Sequence, residues 1–254
     1  LSLYTSGNDS MYESIFGGSL SYPDGLYYGD GGSILVVEQG STFGGNGKLY
    51  KLNGNGGLQS ESAPFGSSPY SLTTANNKIY VTNGPGGTVS VLDKNTLSVL
   101  TAVSAGVYPQ EILSRDNKVY VCNTSAFGGA SDSTVSVIDA VADTVIGTIA
   151  LRKEPTSIFY TNGFIYVGCN PAGMIFKIDP NTLSKSDSFS IGSGFSKDIS
   201  FSASGNSINF IDGANNISRL DYTNGSVTTI IANPDPVNNF FYGYTYIDKH
   251  YILD

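Results

Sequence analysis

The chain has 254 residues, with 13 Lys or Arg against 21 Asp or Glu and a formal net charge of −8. The few basic residues are scattered, which argues against a nucleic-acid partner, because phosphate binding needs a clustered basic stripe. No apolar run approaches the roughly 18 residues that a membrane-spanning helix requires.

The remaining composition points to β structure. Thirty-one glycines, 17 tyrosines and 13 phenylalanines, with many Ser, Thr and Asn, suit twisted strands joined by tight turns. Only 13% of the residues are charged, so the surface is expected to consist largely of neutral polar groups. That composition leads us to expect a place outside the cytoplasm, whether periplasmic, cell-surface or secreted. The chain begins at Leu1 without a methionine or a signal-like segment, which predicts a processed protein.

Taken in chain order, Leu1-Ser2-Leu3 and residues 10–18 read as two strands without the two that should precede them. A unit of four short strands then repeats. Its first strand opens at Pro23, Pro69, Pro109, Pro155, Ser196 and Phe240, at spacings of 46, 40, 46, 41 and 44 residues. The second strand reads Ile34-Leu35-Val36-Val37-Glu38, Ile79-Tyr80-Val81-Thr82-Asn83, Val119-Tyr120-Val121-Cys122-Asn123, Ile165-Tyr166-Val167-Gly168-Cys169 and Ile208-Asn209-Phe210-Ile211-Asp212. The third follows as Lys48-Leu49-Tyr50-Lys51-Leu52, Val89-Ser90-Val91-Leu92-Asp93, Val135-Ser136-Val137-Ile138-Asp139, Ile175-Phe176-Lys177-Ile178-Asp179 and Ile217-Ser218-Arg219-Leu220-Asp221. Alternating apolar and polar residues mark these as strands, and the Asp after most third strands opens a turn. The stretch from Phe240 supplies a first and a second strand and then stops.

A repeat of about 40 residues with four short strands per copy is the pattern of a β-propeller. The expected fold is all-β, a single propeller domain over 1–254 with four-stranded antiparallel blades. Six blades are expected, at approximately 20–66, 67–106, 107–152, 153–194, 195–236, and 237–254 together with 1–19. In that closing blade the chain ends contribute two strands each, leaving no free sheet edge. A seven-bladed parent lacking part of its C-terminus is the alternative. The long loops at 40–47, 125–133 and 213–216 all fall between second and third strands. Cys122 and Cys169 occupy similar places in consecutive repeats, where Cα atoms are usually farther apart than the roughly 7 Å a disulfide spans. Two free, buried thiols are expected.

The copies Ile79-Tyr80-Val81-Thr82-Asn83 and Val119-Tyr120-Val121-Cys122-Asn123, each followed by Val-Ser-Val-Leu/Ile-Asp, resemble the YVTN family of β-propeller repeats. The wider group includes YncE-like periplasmic proteins and Bacteroidetes surface lipoproteins. The resemblance implies a folding motif without chemistry of its own, and some of those lipoproteins bind corrinoids beside an outer-membrane transporter.

In a propeller the loops between strands two and three share one end of the sheets with the segments leading into strand one. That end surrounds the mouth of the central channel. The positions just after the proline slot are Asp24, Tyr70, Gln110, Thr156, Lys197 and Phe241, and the second strands end at Glu38, Asn83, Asn123, Cys169 or Asn170, Asp212 and Asp254. Together they are expected to ring a funnel of aromatic and hydrogen-bonding groups suited to a ligand. The competing reading is that strand-end Asn and Asp cap turns through their own backbone. Tyr22, Tyr70 and Tyr108, beside the prolines, could stack on a sugar, peptide or planar cofactor.

Catalysis finds little support. His250 is the only histidine, and neither a hydrolytic triad nor histidine-based metal spacing is present. No cofactor is expected. Calcium on Glu38 with Asp24, or on Asp235 near Asp254, is the weaker possibility beside solvated carboxylates. The expected function is a non-catalytic binding propeller that meets a ligand or surface protein through its loop face. The alternatives are a lyase or hydrolase using carboxylates at the channel mouth, and a purely structural module of a surface assembly. Sequons occur at Asn8, Asn123, Asn216 and Asn224.

Overall fold

The computed structural model describes residues 20, 22–29, 32–126, 128–152, 154–170, 172–192, 206–214 and 216–232, and the strand backbones at 3–5, 10–12, 242–246 and 249–253. The chain is all-β and propeller-like, built from sequential antiparallel sheets, and among the described residues there is no α-helix.

Four four-stranded sheets follow the chain strand by strand. The first is β3 (Pro23–Tyr28), β4 (Ile34–Glu38), β5 (Lys48–Leu52) and β6 (Leu58–Glu61). Next come β7 (Pro69–Ala75), β8 (Lys78–Asn83), β9 (Thr88–Asp93) and β10 (Val99–Ser104), then β11 (Pro109–Arg115), β12 (Lys118–Ser125), β13 (Ser131–Asp139) and β14 (Thr144–Ala150). A fourth sheet holds β15 (Pro155–Thr161), β16 (Phe164–Cys169), β17 (Met174–Asp179) and β18 (Ser184–Ser190), and a three-stranded one holds β19 (Ser207–Ile211), β20 (Ile217–Asp221) and β21 (Ser226–Ile231). All four expected proline starts coincide with strand starts. Ser196, the fifth start, lies outside the described residues. At the chain ends, β1 (Leu3–Thr5) pairs with β2 (Ser10–Tyr12), and β22 (Tyr242–Tyr246) with β23 (Lys249–Leu253), as two-stranded sheets. His250 lies in β23 opposite Thr245. Strands β12 and β13 run past the motif, so the loop expected at 125–133 narrows to the five residues 126–130, closed by a 2.9 Å bond from Ala126 N–H to the Ala130 carbonyl.

The chain forms two compact units, one of Leu1–Val121 with Ile138–Ile146 and one of Cys122–Val137 with Gly147–Asp254. In the first unit β8 is buried on both faces. Ile79 and Val81 pack with Leu35, Val37, Leu49 and Leu72, whereas Tyr80 packs with Val91, Val119, Val121 and Ile138. Polar side chains tie neighbouring sheets together: the Thr74 hydroxyl of β7 donates to the Tyr27 oxygen of β3 at 2.9 Å, and the Thr82 hydroxyl of β8 to the Gln110 carbonyl of β11 at 2.7 Å. In the second unit Tyr166, Ile175, Phe189, Ile208, Phe210 and Leu220 form the core. Cys122 and Cys169 are buried and neither forms a disulfide, and burial pushes the Cys169 thiol up to about 11.

Two turn designs recur. Between first and second strands, Asn76-Asn77, Asp116-Asn117 and Asn162-Gly163 each place both residues at positive φ, the type I′ geometry that matches the twist of a two-residue hairpin. Between third and fourth strands, the N–H of Leu97, Asp143, Leu183 and Gly225 bonds the carbonyl of Asp93, Asp139, Asp179 and Asp221 at 2.8–2.9 Å, and each donor residue has positive φ. The aspartate carboxylates gather the turn's N–H groups. Asp93 lies below the usual carboxylate range because it accepts from the N–H groups of Thr96 and Asn95, Asp139 because it accepts from Val141 and Ala142, and Asp221 because it accepts from the Thr223 hydroxyl and N–H.

Asn117 is exposed at φ 57°, where glycine carries no steric penalty and a β-branched residue does. We expect Asn117→Gly to hold or raise the urea midpoint, and Asn117→Val to cost about 1–2 kcal/mol. The depressed aspartates contribute stability that is fully present above their unfolded value, about 3.9, and is lost as pH falls through the folded values. Acid titration of the triple variant Asp93→Asn, Asp139→Asn, Asp221→Asn, which keeps an acceptor but removes the charge, should show a shallower loss of stability below about pH 4 than the parent.

Candidate functional site

The last residue of each second-strand motif lies near the start of the third-strand motif, and the structure shows what most of these residues do. Asn83 lies opposite Thr88, and its amide donates to Thr88 Oγ1 at 3.1 Å and to Ser90 Oγ, two residues further on, at 2.9 Å. Asn123 repeats this with Thr134 Oγ1 and Ser136 Oγ, both at 2.9 Å. Asp212 accepts from the Ser218 hydroxyl at 3.0 Å and from the Asn216 side chain at 3.1 Å, and it also caps the N–H groups of Ala214 and Asn216. In the first sheet the pair is Glu38 and Tyr50, whose hydroxyl donates at 2.9 Å; burial and then Glu38 push that phenol up to about 12. In the fourth sheet Cys169 and Phe176 hold the same places, and both are buried.

These residues therefore serve as clasps between strands two and three. Asn83 and Asn123 are 1% and 0% exposed. Turn capping describes Asp212 but not the two asparagines, which bond hydroxyls of the neighbouring strand. Burial also removes the Asn123 sequon from the surface. Gly66, at φ 69°, is required here, because a Cβ would fall 2.1 Å from Asn83 Oδ1.

The positions after the prolines sit differently. Asp24 is exposed on β3 and accepts from the Gln39 side-chain amide. Tyr70, Gln110 and Thr156 are half-buried, Gln110 lending its carbonyl to Thr82 and Thr156 holding a buried hydroxyl. Lys197 and Phe241, with Asp235 and Asp254, lie outside the described residues. Among the described residues no three His, Cys, Asp or Glu side chains gather as a metal would need.

The residues before the prolines are the less expected feature. Ser68, Tyr108 and Glu154 all have positive φ, an uncommon state for a non-glycine residue. The reason is visible at Glu154: its N–H reaches the Asp132 carbonyl at 3.1 Å while its own carbonyl accepts from Asn170 N–H at 2.9 Å. Ser68 N–H likewise bonds the Gly45 carbonyl, and Gln39 N–H bonds the Tyr22 carbonyl. This bend lays the Tyr108 ring on Gly84, where a Cβ would meet the ring at 2.9 Å. Burial raises the Tyr108 phenol above its ordinary value, and the Asp24 carboxylate adds to that shift. Asp24, Gln39 and Tyr108, with exposed Tyr22 two residues before Asp24, thus supply an acceptor, an amide and aromatic rings at the proline end of the first unit. Gln39 and Gly84 were not among the sequence candidates. Their signal is positional, since each immediately follows a second-strand end.

The class defined by these sheets is a β-propeller of four-stranded antiparallel blades. No protein-family profile and no curated protein matches the chain. Among solved structures it is similar to Kuenenia stuttgartiensis hydrazine synthase, with a TM-score of 0.55 and 22% identity over 65% of this chain and 50% of that one. It is also similar to the computationally designed Ika8 protein, with a TM-score of 0.60 and 17% identity over 84% of this chain and 62% of that one. The chain thus spans between half and two thirds of each neighbour. At these identities the likeness shows the fold alone.

Asn123→Ala removes one clasp and leaves two hydroxyls to find new partners in a buried setting. We expect a loss of about 2 kcal/mol in urea unfolding.

Proposed function

We propose that this protein is a non-catalytic binding propeller that works outside the cytoplasm and meets its ligand at the proline end of its sheets. The observation that carries this is the set Asp24, Gln39 and Tyr108. A carboxylate and a primary amide are bonded to each other beside a phenol held in place by an uncommon backbone conformation. Few convergent polar groups beside aromatic walls are what a specific small-molecule site offers. The absence of a catalytic role rests on the sequence, with its single histidine, and the location rests on the neutral polar composition and the YVTN resemblance.

Thermal-shift titration with defined probes tests the site: common monosaccharides, cyanocobalamin and calcium, each at millimolar concentration. At least one probe should stabilise the protein, by an amount that follows its affinity. The shift should fall by more than half in Asp24→Asn and in Gly84→Ala, which displaces the Tyr108 ring without removing it. No stabilisation by any probe would favour the purely structural module, and turnover of a probe lost in the carboxylate variant would favour the enzyme.

A further inference from the structure

Gln39 is tied to the segment entering β3 at two points. Its backbone N–H bonds the Tyr22 carbonyl at 2.9 Å, and its side-chain amide donates to Asp24. Gly40 follows at φ 90°, where a Cβ would lie 2.3 Å from the Asn46 carbonyl oxygen, so the chain bends sharply directly after Gln39. Beside Asp24, Gly25 lets β3 approach β7 so closely that a Cβ there would lie 2.5 Å from the Tyr70 carbonyl oxygen. The carboxylate and the amide are therefore held in place before a ligand arrives, which lowers the ordering cost of binding.

Two tyrosines accompany the pair. Tyr108 is half-buried with its ring on Gly84, and the nearby Asp24 carboxylate adds to the rise of its phenol, which stays a neutral donor. Tyr22 is 60% exposed, and its backbone is fixed by the bond from Gln39.

The chemistry of these groups narrows the ligand. The Asp24 charge opposes a phosphate, a sulfate or a uronate, since like charges brought together at a binding surface are costly. Among the described residues no three acidic, thiol or imidazole side chains gather, so a divalent cation would find few anionic ligands here. A carboxylate bonded to a primary amide sets acceptors and a donor side by side, and the phenol adds another donor. Hydroxyl groups both donate and accept, so neighbouring hydroxyls of a sugar ring match that set. The C–H face of the same ring suits an exposed tyrosine.

We propose that this site takes an uncharged saccharide, with Asp24, Gln39 and Tyr108 bonding its hydroxyls and Tyr22 covering the C–H face of a sugar ring. This rests on the binding role proposed above and names its ligand class. Because Asp24 and Tyr22 are both open to solvent, the saccharide lies on the surface, and the units flanking the bound one have room to extend.

Isothermal titration of the full chain tests this. The neutral probes are cellohexaose, xylohexaose, maltohexaose and hexa-N-acetylchitohexaose, with hexagalacturonate as the anionic and chitosan hexaose as the cationic counterpart. At least one neutral probe should bind, and hexagalacturonate should not. For that neutral probe Tyr22→Ala should weaken binding about tenfold, and Tyr22→Phe, which keeps the ring, by less than about twofold. Asp24→Asn should weaken it at least about fivefold. The melting temperature of Tyr22→Ala should match the parent, as expected for so exposed a side chain. Binding of no neutral probe, equal binding of hexagalacturonate, or unchanged affinity in Tyr22→Ala would overturn the proposal. Binding of chitosan hexaose alone would also overturn it, because the ligand would then be a cation at Asp24. Asp24-dependent stabilisation by cyanocobalamin or calcium, with no neutral saccharide bound, would remove the saccharide and leave the binding role standing. No response to any probe would remove both.

Discussion

Ile79 and Val81 of β8 pack into one apolar cluster, and Tyr80 between them packs into another. A strand covered on both faces cannot follow the ordinary rule of apolar inside and polar outside. A buried polar atom on such a strand is costly unless it finds a partner within the protein. The Tyr80 hydroxyl donates to the Asp143 carboxylate at 2.6 Å and to the Ala140 carbonyl at 3.1 Å, and Lys78 completes the group with its own 2.6 Å bond to Asp143. Asp143 can do this because its positive φ in the β13–β14 turn brings it back over the sheet. Turn geometry and core burial are thus one constraint.

The repeats show how much variation that constraint permits. At the places of Lys78, Tyr80, Ala140 and Asp143, the second unit has Phe164, Tyr166, Tyr222 and Gly225. Glycine supplies no carboxylate, and Tyr166 packs instead against Phe159 and Tyr222, with ring centroids 5.2 and 5.3 Å away. Among the described residues its buried hydroxyl has no hydrogen-bond partner. An ionic clasp has been replaced by an aromatic one. Cys169 with Phe176, standing where Asn123 and Ser136 stand elsewhere, is the same exchange at the other end of the strand.

Backbone organisation was legible in the sequence because alternation and proline report on it directly. The prolines at 23, 69, 109 and 155 begin strands, and the Asp after most third strands caps a turn. Side-chain direction was not legible. Asn83 and Asn123 read as members of a ligand ring because they end strands at the loop face, yet their amides turn toward the third strand. The clue was present two residues along each third strand, where Ser90 and Ser136 match asparagine and Tyr50 matches Glu38. Such a correlation becomes meaningful only with the register, which sets 83 opposite 88. Tyr108 shows the same limit: a non-glycine residue before proline favours extended backbone, so nothing local announces its positive φ.

What the clasps and cores require, they require in every sheet, and departures from the repeat are where other demands become visible. Phe43 stands at the corner of the β4–β5 turn, and its ring is 76% exposed, so it contributes little to burial. A folding argument explains Gly44, whose φ excludes most residues, and Gly47, whose Cβ would lie 1.9 Å from the Glu38 carbonyl. It explains Ser67 and Ser68 as the groups that hold the turn. It does not explain the phenylalanine. Asp24 is similar, an exposed carboxylate at a position where the other described sheets have Tyr70, Gln110 and Thr156. Once the residues that build the sheets are accounted for, the side chains left at the proline end of the first unit are those whose chemistry faces outward.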